Sequence, residues 1–226
     1  MQLYSFCFSS TSYRVRIALA LKGVDYEYKA VNLRASEQHS DAYIELNPSK
    51  GVPVLVTDEG DEISQSMAIL HYLEERYPEP ALLPENILAK ARVLELCSAI
   101  ACDIHPVNNL RILGYLQSEL GVGEEQKNQW YRHWIDEGMR AVEAHLLKHG
   151  FGTFCFGEQP TLADVCLIPQ VTNALRFNCD TRPFSRAMAI YEHAIQLPEF
   201  ERAAAANQPD MPSSAAGNGA ITSPNR

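Results

Sequence analysis

The chain has 226 residues, 46% hydrophobic and 21% charged, which is enough for two compact domains with cores of their own. Its formal net charge of −9 argues against nucleic acid or an anionic membrane surface as a partner. A small anionic ligand would therefore need a local basic pocket.

Cysteine usage and the start of the chain indicate a compartment. None of the six cysteines forms a Cys-x-x-Cys pair, and most lie within apolar helical patterns. We therefore expect reduced thiols in a cytoplasmic protein and no metal site. The chain begins directly with strand-like residues, and no apolar run reaches the length of a membrane span, so we expect neither a signal peptide nor a membrane partner.

Residues 1–80 alternate between strand and helix patterns. We predict strands over 2–8, 25–33, 52–56 and 62–65, and helices over 12–22, 41–46 and 66–77. This order, βαβ followed by a helix and then ββα, predicts one sheet with a parallel pair and a hairpin, and with helices on its faces. The proline-rich stretch 78–84 breaks the pattern, and we place a domain boundary there.

The turn between the first strand and the first helix carries a run of hydroxyl side chains, followed by two arginines. These residues are Ser9, Ser10, Thr11, Ser12, Arg14 and Arg16. The first turn of a helix has unpaired N–H groups and a partial positive charge, so it favours a thiolate or another anion. An ordinary N-cap explains one such serine equally well, and both interpretations stay open.

Two further positions in this half could meet a peptide-like ligand. Pro53 is either an ordinary edge residue or the second member of a cis Val52–Pro53 bond, which would turn the backbone N–H and C=O of Val52 outward. Gln65 and Ser66 lie at the start of the third helix of this half, whose N-terminus could hold a carboxylate. One peptide-shaped anion could contact these places and the hydroxyl run together.

From Ile87 the chain becomes almost wholly helical, with helices predicted over 87–119, 124–149, 161–177, 184–195 and 198–205. Thr161-Leu162-Ala163-Asp164 is an N-capping box before the apolar run Val165–Val171, which predicts a buried central helix. The composition from Ala203 onward, rich in Ala, Ser, Asn, Gly and Pro, predicts a disordered tail over 209–226. The second domain is accordingly predicted over 87–208.

A polar insertion with a proline in its middle, residues 103–111, interrupts the first of these helices. His105, Asn109 and Arg111 around this kink are candidate ligand contacts, although a single histidine in such a place is more often simply a satisfied hydrogen-bond partner. Arg176, near the end of the central helix, either complements the helix dipole or contacts an anion.

Taken together, these motifs resemble the zeta class of the glutathione transferases, whose members include maleylacetoacetate and maleylpyruvate isomerases. The resemblance covers about residues 2–210 and is carried by Ser9–Leu19, Asn47-Pro48, Val52-Pro53, Gln65-Ser66, Thr161–Asp164 and Pro169–Phe177. It implies an α/β thioredoxin-like, glutathione-binding N-terminal domain, an all-α helical C-terminal substrate domain, a homodimer, and glutathione as cofactor.

The resemblance also implies roles for single residues. Ser9 would hydrogen-bond the glutathione sulfur and favour its thiolate, and Ser10 and Thr11 would complete the surroundings of that sulfur. Val52, beside the cis Pro53, would pair with the cysteinyl backbone of glutathione. Gln65 and Ser66 would bind the γ-glutamyl group. The remaining glutathione contacts would be Gln38, His105, Asn109 and Arg111. Arg176 matches an arginine that holds a substrate carboxylate.

The implied activity is glutathione-dependent cis–trans isomerisation of a maleyl keto acid in aromatic or tyrosine catabolism. Two positions depart from the family pattern: Thr11 stands where a cysteine is frequent, and Phe8 stands where an arginine is usual. Because Phe8 removes a cation, a transferase that conjugates or dehalogenates small electrophiles, or a peroxidase, remains an alternative. A non-catalytic binding module is a second alternative, against which the complete set of Ser9, Val52, Gln65 and Ser66 argues.

Overall fold

The computed structural model describes residues 1–212, and contacts within the chain divide these residues into two units. Residues 1–81 and 197–212 form the first unit, and residues 82–196 form the second. Across the described residues, none of the helices is both long and apolar enough to pass through a membrane.

The first unit contains one four-stranded sheet and three helices that precede the domain boundary. In chain order these are β1 (Gln2–Ser5), α1 (Ser10–Leu21), β2 (Glu27–Ala30), α2 (Asp41–Leu46), β3 (Val54–Val56), β4 (Glu62–Ser64) and α3 (Ser66–Arg76). The strand order is β2-β1-β3-β4, with β1 and β2 parallel and the other two pairs antiparallel. The predicted order of elements, parallel pair and hairpin are confirmed.

The strands are shorter than predicted at the edge where the candidate residues lie. β1 ends at Ser5 instead of residue 8, because the chain turns there and the N–H of Ser9 donates to the carbonyl oxygen of Phe6 at 2.9 Å. β3 begins at Val54 instead of residue 52. Residues 6–8 after β1 and residues 52–53 before β3 are therefore not part of the strands. In the middle of the sheet, Leu3 and its β3 partner Leu55 are fully buried.

The segment 197–212 corrects two predictions. The sequence predicts residues 197–208 as part of the helical domain, but α9 (Pro198–Ala203) packs on α1 within the first unit. The sequence predicts a disordered tail from residue 209, but the Asp210 carboxylate accepts hydrogen bonds from the Cys7 N–H at 2.9 Å and the Tyr28 hydroxyl at 2.7 Å. One carboxylate holds a segment whose composition offers little apolar surface. The rest of that predicted tail, 213–226, lies outside the described residues.

The second unit is helical. It contains α4 (Ile87–Ser98), α5 (Leu110–Ser118), α6 (Glu124–His149), α7 (Leu162–Arg176) and α8 (Ser185–Ala194). The helix predicted over 87–119 is wrong as a single element, because a π-helical stretch at 99–104 and a 3₁₀ turn at Pro106–Asn108 separate α4 from α5. Pro106 has no N–H with which to continue the helix. Gly138 lets α6 approach the π-helical stretch closely, since a Cβ at that position would lie 2.3 Å from Cγ1 of Ile104.

The buried central helix is confirmed as α7, in which every residue from Val165 to Val171 is buried. Its start depends on Asp164, which is fully buried. The Asp164 carboxylate accepts hydrogen bonds from the N–H and hydroxyl of Thr161 at 2.8 and 2.9 Å, and from the Cys155 N–H at 2.8 Å. This carboxylate therefore joins the preceding loop to the first turn of the central helix.

Replacing Asp164 by alanine is expected to lower the free energy of unfolding by roughly 2–4 kcal/mol, because three buried donors lose a charged acceptor. Asp136→Ala is the matched control, since this half-exposed carboxylate is paired with Arg140 on the surface of α6 and should cost about 1 kcal/mol or less. Urea denaturation followed by circular dichroism measures both. Equal losses in the two variants would contradict a central role for Asp164.

Candidate active site

Ser9 is the N-cap of α1. Its side-chain oxygen accepts a hydrogen bond from the Ser12 N–H at 3.2 Å, and its backbone has extended angles. The ordinary capping interpretation is thus correct for Ser9, but it does not exclude the other one. The cap places the Ser9 oxygen at the positive end of a 12-residue helix, where a neighbouring anion is also stabilised.

The hydroxyls of Ser9 and Thr11 form a chain that ends on Val52. The Thr11 hydroxyl donates to the Val52 carbonyl oxygen at 2.8 Å, and the Ser9 and Thr11 oxygens are 2.9 Å apart. Thr11 has one hydroxyl proton, which goes to Val52, so Ser9 is the donor in the pair with Thr11. Ser9 is therefore the hydroxyl that could turn its proton to a sulfur without releasing Val52. Ser10 lies buried in the first turn of α1.

The bond between Val52 and Pro53 is cis, as one of the two sequence interpretations required. The loop before it is held by the carbonyl oxygen of Gly51, which accepts hydrogen bonds from the Tyr43 hydroxyl at 2.6 Å and the Asn47 side chain at 2.8 Å. Val52 is half-buried and precedes β3. Its backbone is thus fixed in place but not used in the sheet, which suits it to pairing with a peptide.

The start of α3 is arranged for an anion. Gln65 is the N-cap with a φ of 72°, an uncommon value for a residue other than glycine, and its side chain makes no capping hydrogen bond. Ser66, the first residue of the helix, is buried, and its hydroxyl oxygen accepts a hydrogen bond from Nη1 of Arg14 at 3.3 Å. The sequence did not single out Arg14 for this contact, because 52 positions separate it from Ser66.

Phe8 is partnered by a cation that the sequence reasoning missed. The guanidinium carbon of Arg34 lies 4.7 Å from the centroid of the Phe8 ring, a cation–π contact. Asn32 holds this turn in place, because its side-chain oxygen accepts the N–H groups of Arg34 and Ala35 at 3.0 and 3.2 Å. Phe8 and Arg34 help to line a cavity of about 190 Å³ within the first unit.

Four other residues are predicted to contact glutathione, and the structure shows the local surroundings of each: Gln38, His105, Asn109 and Arg111. Gln38 lies in the 3₁₀ turn Glu37–His39, and its Oε1 atom is buried without a hydrogen-bond partner among residues 1–212. Asn109 caps α5 by accepting the Ile112 N–H at 3.1 Å, which explains this residue without a ligand. His105 ends the π-helical stretch, and Arg111 is exposed on the first turn of α5. Ligand contacts at all four residues stay predictions.

Arg176 ends α7 beside aromatic side chains of the second unit. Its guanidinium carbon lies 5.1 Å from the ring centroid of Phe177, and Phe177 stacks on Tyr131 with 3.8 Å between centroids. Burial raises the pKa of Tyr131 above its ordinary value, while the positive charge of Arg176 acts in the opposite direction. Asn108 fastens the polar insertion to α6 by donating to the Tyr131 carbonyl oxygen at 3.2 Å.

The structure thus brings together two sets of residues in the first unit. Ser9, Thr11 and Val52 form one hydrogen-bonded chain, and Arg14 and Ser66 form another. The candidates of the second unit are divided between the polar insertion and the end of α7. Within the part of the chain that the structure describes, no group of three or more His, Cys, Asp or Glu side chains is arranged to hold a metal ion.

Comparison with known proteins identifies relatives over nearly the whole chain. Residues 1–75 match the model of the glutathione S-transferase N-terminal domain, and residues 125–192 match that of the C-terminal domain. A probable maleylacetoacetate isomerase of Vibrio cholerae is 48% identical over 92% of this chain and 97% of its own length.

Solved structures agree with these matches. The holo structure of a maleylpyruvate isomerase, described as a bacterial zeta-class glutathione S-transferase, superposes with a TM-score of 0.90 at 46% identity, covering 93% of this chain and 99% of its own. A maleylacetoacetate isomerase from Methylobacterium extorquens AM1 with bound malonate and glutathione has a TM-score of 0.91 at 34% identity, covering 94% of this chain and 100% of its own.

Ser9→Ala is expected to raise the pKa of glutathione bound to the protein and to lower turnover about tenfold or more, because the thiolate loses a hydrogen-bond donor. The thiolate absorbance of the complex, followed against pH, measures that pKa. Thr11→Val is the matched control, because it releases the Val52 carbonyl but keeps the Ser9 proton. An unchanged titration in Ser9→Ala together with a shifted one in Thr11→Val would move the activating role to Thr11.

Proposed function

Because the chain belongs to the glutathione S-transferase family, in its zeta class, we propose that it catalyses the glutathione-dependent cis–trans isomerisation of a maleyl keto acid. Maleylacetoacetate or maleylpyruvate would be the substrate, in the breakdown of tyrosine or another aromatic compound. The protein is an enzyme with glutathione as its cofactor, so a non-catalytic binding module is no longer an alternative.

The observation that carries this proposal is the hydroxyl chain from Ser9 through Thr11 to Val52. This chain connects the Ser9 hydroxyl, at the positive end of α1, with the Val52 carbonyl, a backbone group that is suited to pairing with a peptide. Glutathione is a peptide with a thiol, and its cysteinyl backbone and sulfur would lie against these two groups. A hydroxyl donor and a helix N-terminus both stabilise a thiolate relative to a thiol.

The proposed reaction uses glutathione without consuming it. The thiolate adds to one carbon of the cis double bond, forming a C–S bond and moving the electron pair onto the conjugated carbonyl as an enolate. The former double bond is then single and rotates. Collapse of the enolate re-forms the double bond in the trans geometry and expels the thiolate. The enzyme must therefore stabilise a thiolate, an enolate and the carboxylates of the substrate.

We propose that Arg176 binds a carboxylate of the substrate and that Ser9, Ser10 and Thr11 surround the sulfur. The remaining predicted glutathione contacts are Gln38, Val52, Pro53, Gln65, Ser66, His105, Asn109 and Arg111. Arg34, whose guanidinium carbon lies 4.7 Å from the centroid of the Phe8 ring, supplies a cation beside the residue that directly precedes Ser9. The absence of an arginine at position 8 therefore does not argue against an anionic substrate as strongly as the sequence suggested.

We also propose a homodimer in the cytoplasm. Ile87 and Leu88 at the start of α4 are 87% and 65% exposed, and apolar surface of this kind is commonly covered by a second subunit. All six cysteines are free thiols, as expected in a reducing compartment. The glutathione-binding domain would correspond to the first unit and the substrate domain to the second.

The proposed activity is tested by supplying a maleyl keto acid and a catalytic amount of glutathione. The trans product should accumulate far beyond the amount of glutathione, because each cycle returns the thiol. Arg176→Ala should raise the KM for the keto acid about tenfold or more through loss of a charged hydrogen bond, with little change in glutathione affinity. Arg182→Ala is the control, since Arg182 is exposed and paired with Asp180.

Stoichiometric consumption of glutathione with haloacids or other small electrophiles, without isomerisation, would replace this proposal with the conjugating or dehalogenating alternative. Equal kinetics of Arg176→Ala and Arg182→Ala with the keto acid would leave the isomerase activity standing and rule out Arg176 as the residue that binds the substrate carboxylate.

Arg34→Gln is expected to raise the KM for the keto acid about three- to tenfold at low salt, because a cation near Phe8 no longer attracts the substrate. The effect should shrink at high salt, where exposed charges are screened. Lys29→Gln is the matched control, since Lys29 is another cation of the first unit but is already paired with Glu27. Steady-state kinetics at two salt concentrations give the answer, and an unchanged KM at low salt would rule out a role for the Arg34 charge.

A further inference from the structure

Two arginines on α1, Arg14 and Arg16, are each 1% exposed, yet their surroundings differ. The guanidinium of Arg16 makes four hydrogen bonds: it donates to the carbonyl oxygens of Ala203, Phe6 and Cys7 and to the hydroxyl of Ser5. Arg14 donates through Nη1 to the hydroxyl of Ser66 at 3.3 Å, and its Nε atom has no partner among residues 1–212.

Arg14 also lacks a counter-charge in the described part of the chain. The ion pairs of the first unit join Met1 to Asp58, Lys22 to Glu74 and Lys29 to Glu27, and none of them includes Arg14. A guanidinium stays protonated at any ordinary pH, and removing it from water is costly unless an anion or a full set of hydrogen bonds replaces the water. Within the described residues, Arg16 has four such hydrogen bonds, whereas Arg14 has one.

The group that Arg14 contacts points to the missing anion. The Nη1–H of Arg14 occupies a lone pair of the Ser66 oxygen, which leaves the Ser66 hydroxyl proton to be donated elsewhere. Ser66 opens α3, an 11-residue helix whose N-cap, Gln65, supplies no side-chain acceptor. The first N–H groups of α3 and the Ser66 hydroxyl are thus donors for one acceptor group with negative charge.

We propose that Arg14 is a positioning residue for glutathione, and that its counter-charge is the α-carboxylate of the γ-glutamyl group, held through Ser66. Arg14 orients the Ser66 hydroxyl toward that carboxylate and adds a buried positive charge behind it. The carboxylate in turn neutralises a cation that has no ion-pair partner among residues 1–212. This inference rests on the proposed function only in that glutathione is the ligand.

The test is a double cycle between the arginine and the carboxylate. Calorimetry compares glutathione with 4-aminobutyryl-cysteinylglycine, a peptide that has the same amine, amide and thiol but lacks the α-carboxylate. In the wild-type protein, loss of the carboxylate should weaken binding. Arg14→Gln should weaken glutathione binding about ten- to a hundredfold but change the affinity for the analogue little, because no carboxylate is there to lose its partner. Arg14→Lys, which keeps the charge, should recover part of the glutathione affinity.

Arg16→Lys is the matched control, because Arg16 is equally buried on the same helix but serves neutral acceptors. It should lower the melting temperature and affect the two peptides alike. If Arg14→Gln does not fold, Arg14→Lys completes the cycle with a smaller effect confined to glutathione.

Equal weakening of both peptides by the Arg14 variants would overturn the proposal and make Arg14 a structural residue. In that case an intact wild-type isomerase activity would leave the proposed function standing. A wild-type protein that binds neither peptide would remove both.

Discussion

The hydrogen bond from the Thr11 hydroxyl to the Val52 carbonyl oxygen is the contact on which the candidate site depends. It joins the first turn of α1 to the cis Val52–Pro53 bond, two places that the sheet itself does not connect. Because Thr11 spends its proton on this contact, Ser9 becomes the donor of the pair and the side chain available to a sulfur. The hydroxyl that caps α1 is thus also the one that we propose to activate the thiol of glutathione.

The same helix gathers positive charge inside a protein with a net charge of −9. Arg14 and Arg16 are both buried on α1, and the partial charge of its N-terminus adds to theirs. Arg16 donates four hydrogen bonds within the fold, to acceptors at the end of β1 and in α9. Arg14 is used only in part. A ligand can contribute binding energy where the fold leaves hydrogen-bond donors and a charge of a buried side chain unpaired. This difference distinguishes Arg14 from Arg16, although the two arginines look alike in sequence.

Segments far from the sheet in sequence complete the first unit. Asp210 holds the Cys7 N–H, two residues before Ser9, and the Tyr28 hydroxyl on the neighbouring strand. Burial of the Cys7 thiol, together with the negative charge of Asp210, raises its pKa to about 11, so this cysteine is a neutral packing residue at physiological pH. The contact fastens the backbone two residues before Ser9, and it does so with a residue outside the regular helices and strands.

The sequence by itself determined the order of strands and helices in the first unit, the capping box at Asp164 and the hydroxyl run at the start of α1. These follow from patterns within a few residues, and local hydrogen bonds and periodic burial decide them. It also offered the cis bond at Pro53 as one of two alternatives. Only the tertiary structure decided where the Thr11 proton goes, that Arg34 covers Phe8, and that Arg14 meets Ser66. It likewise decided that α9 and Asp210 belong to the first unit. The physical reason is that each of these contacts joins residues 26 or more positions apart, and no local pattern encodes the direction of a single hydroxyl or guanidinium.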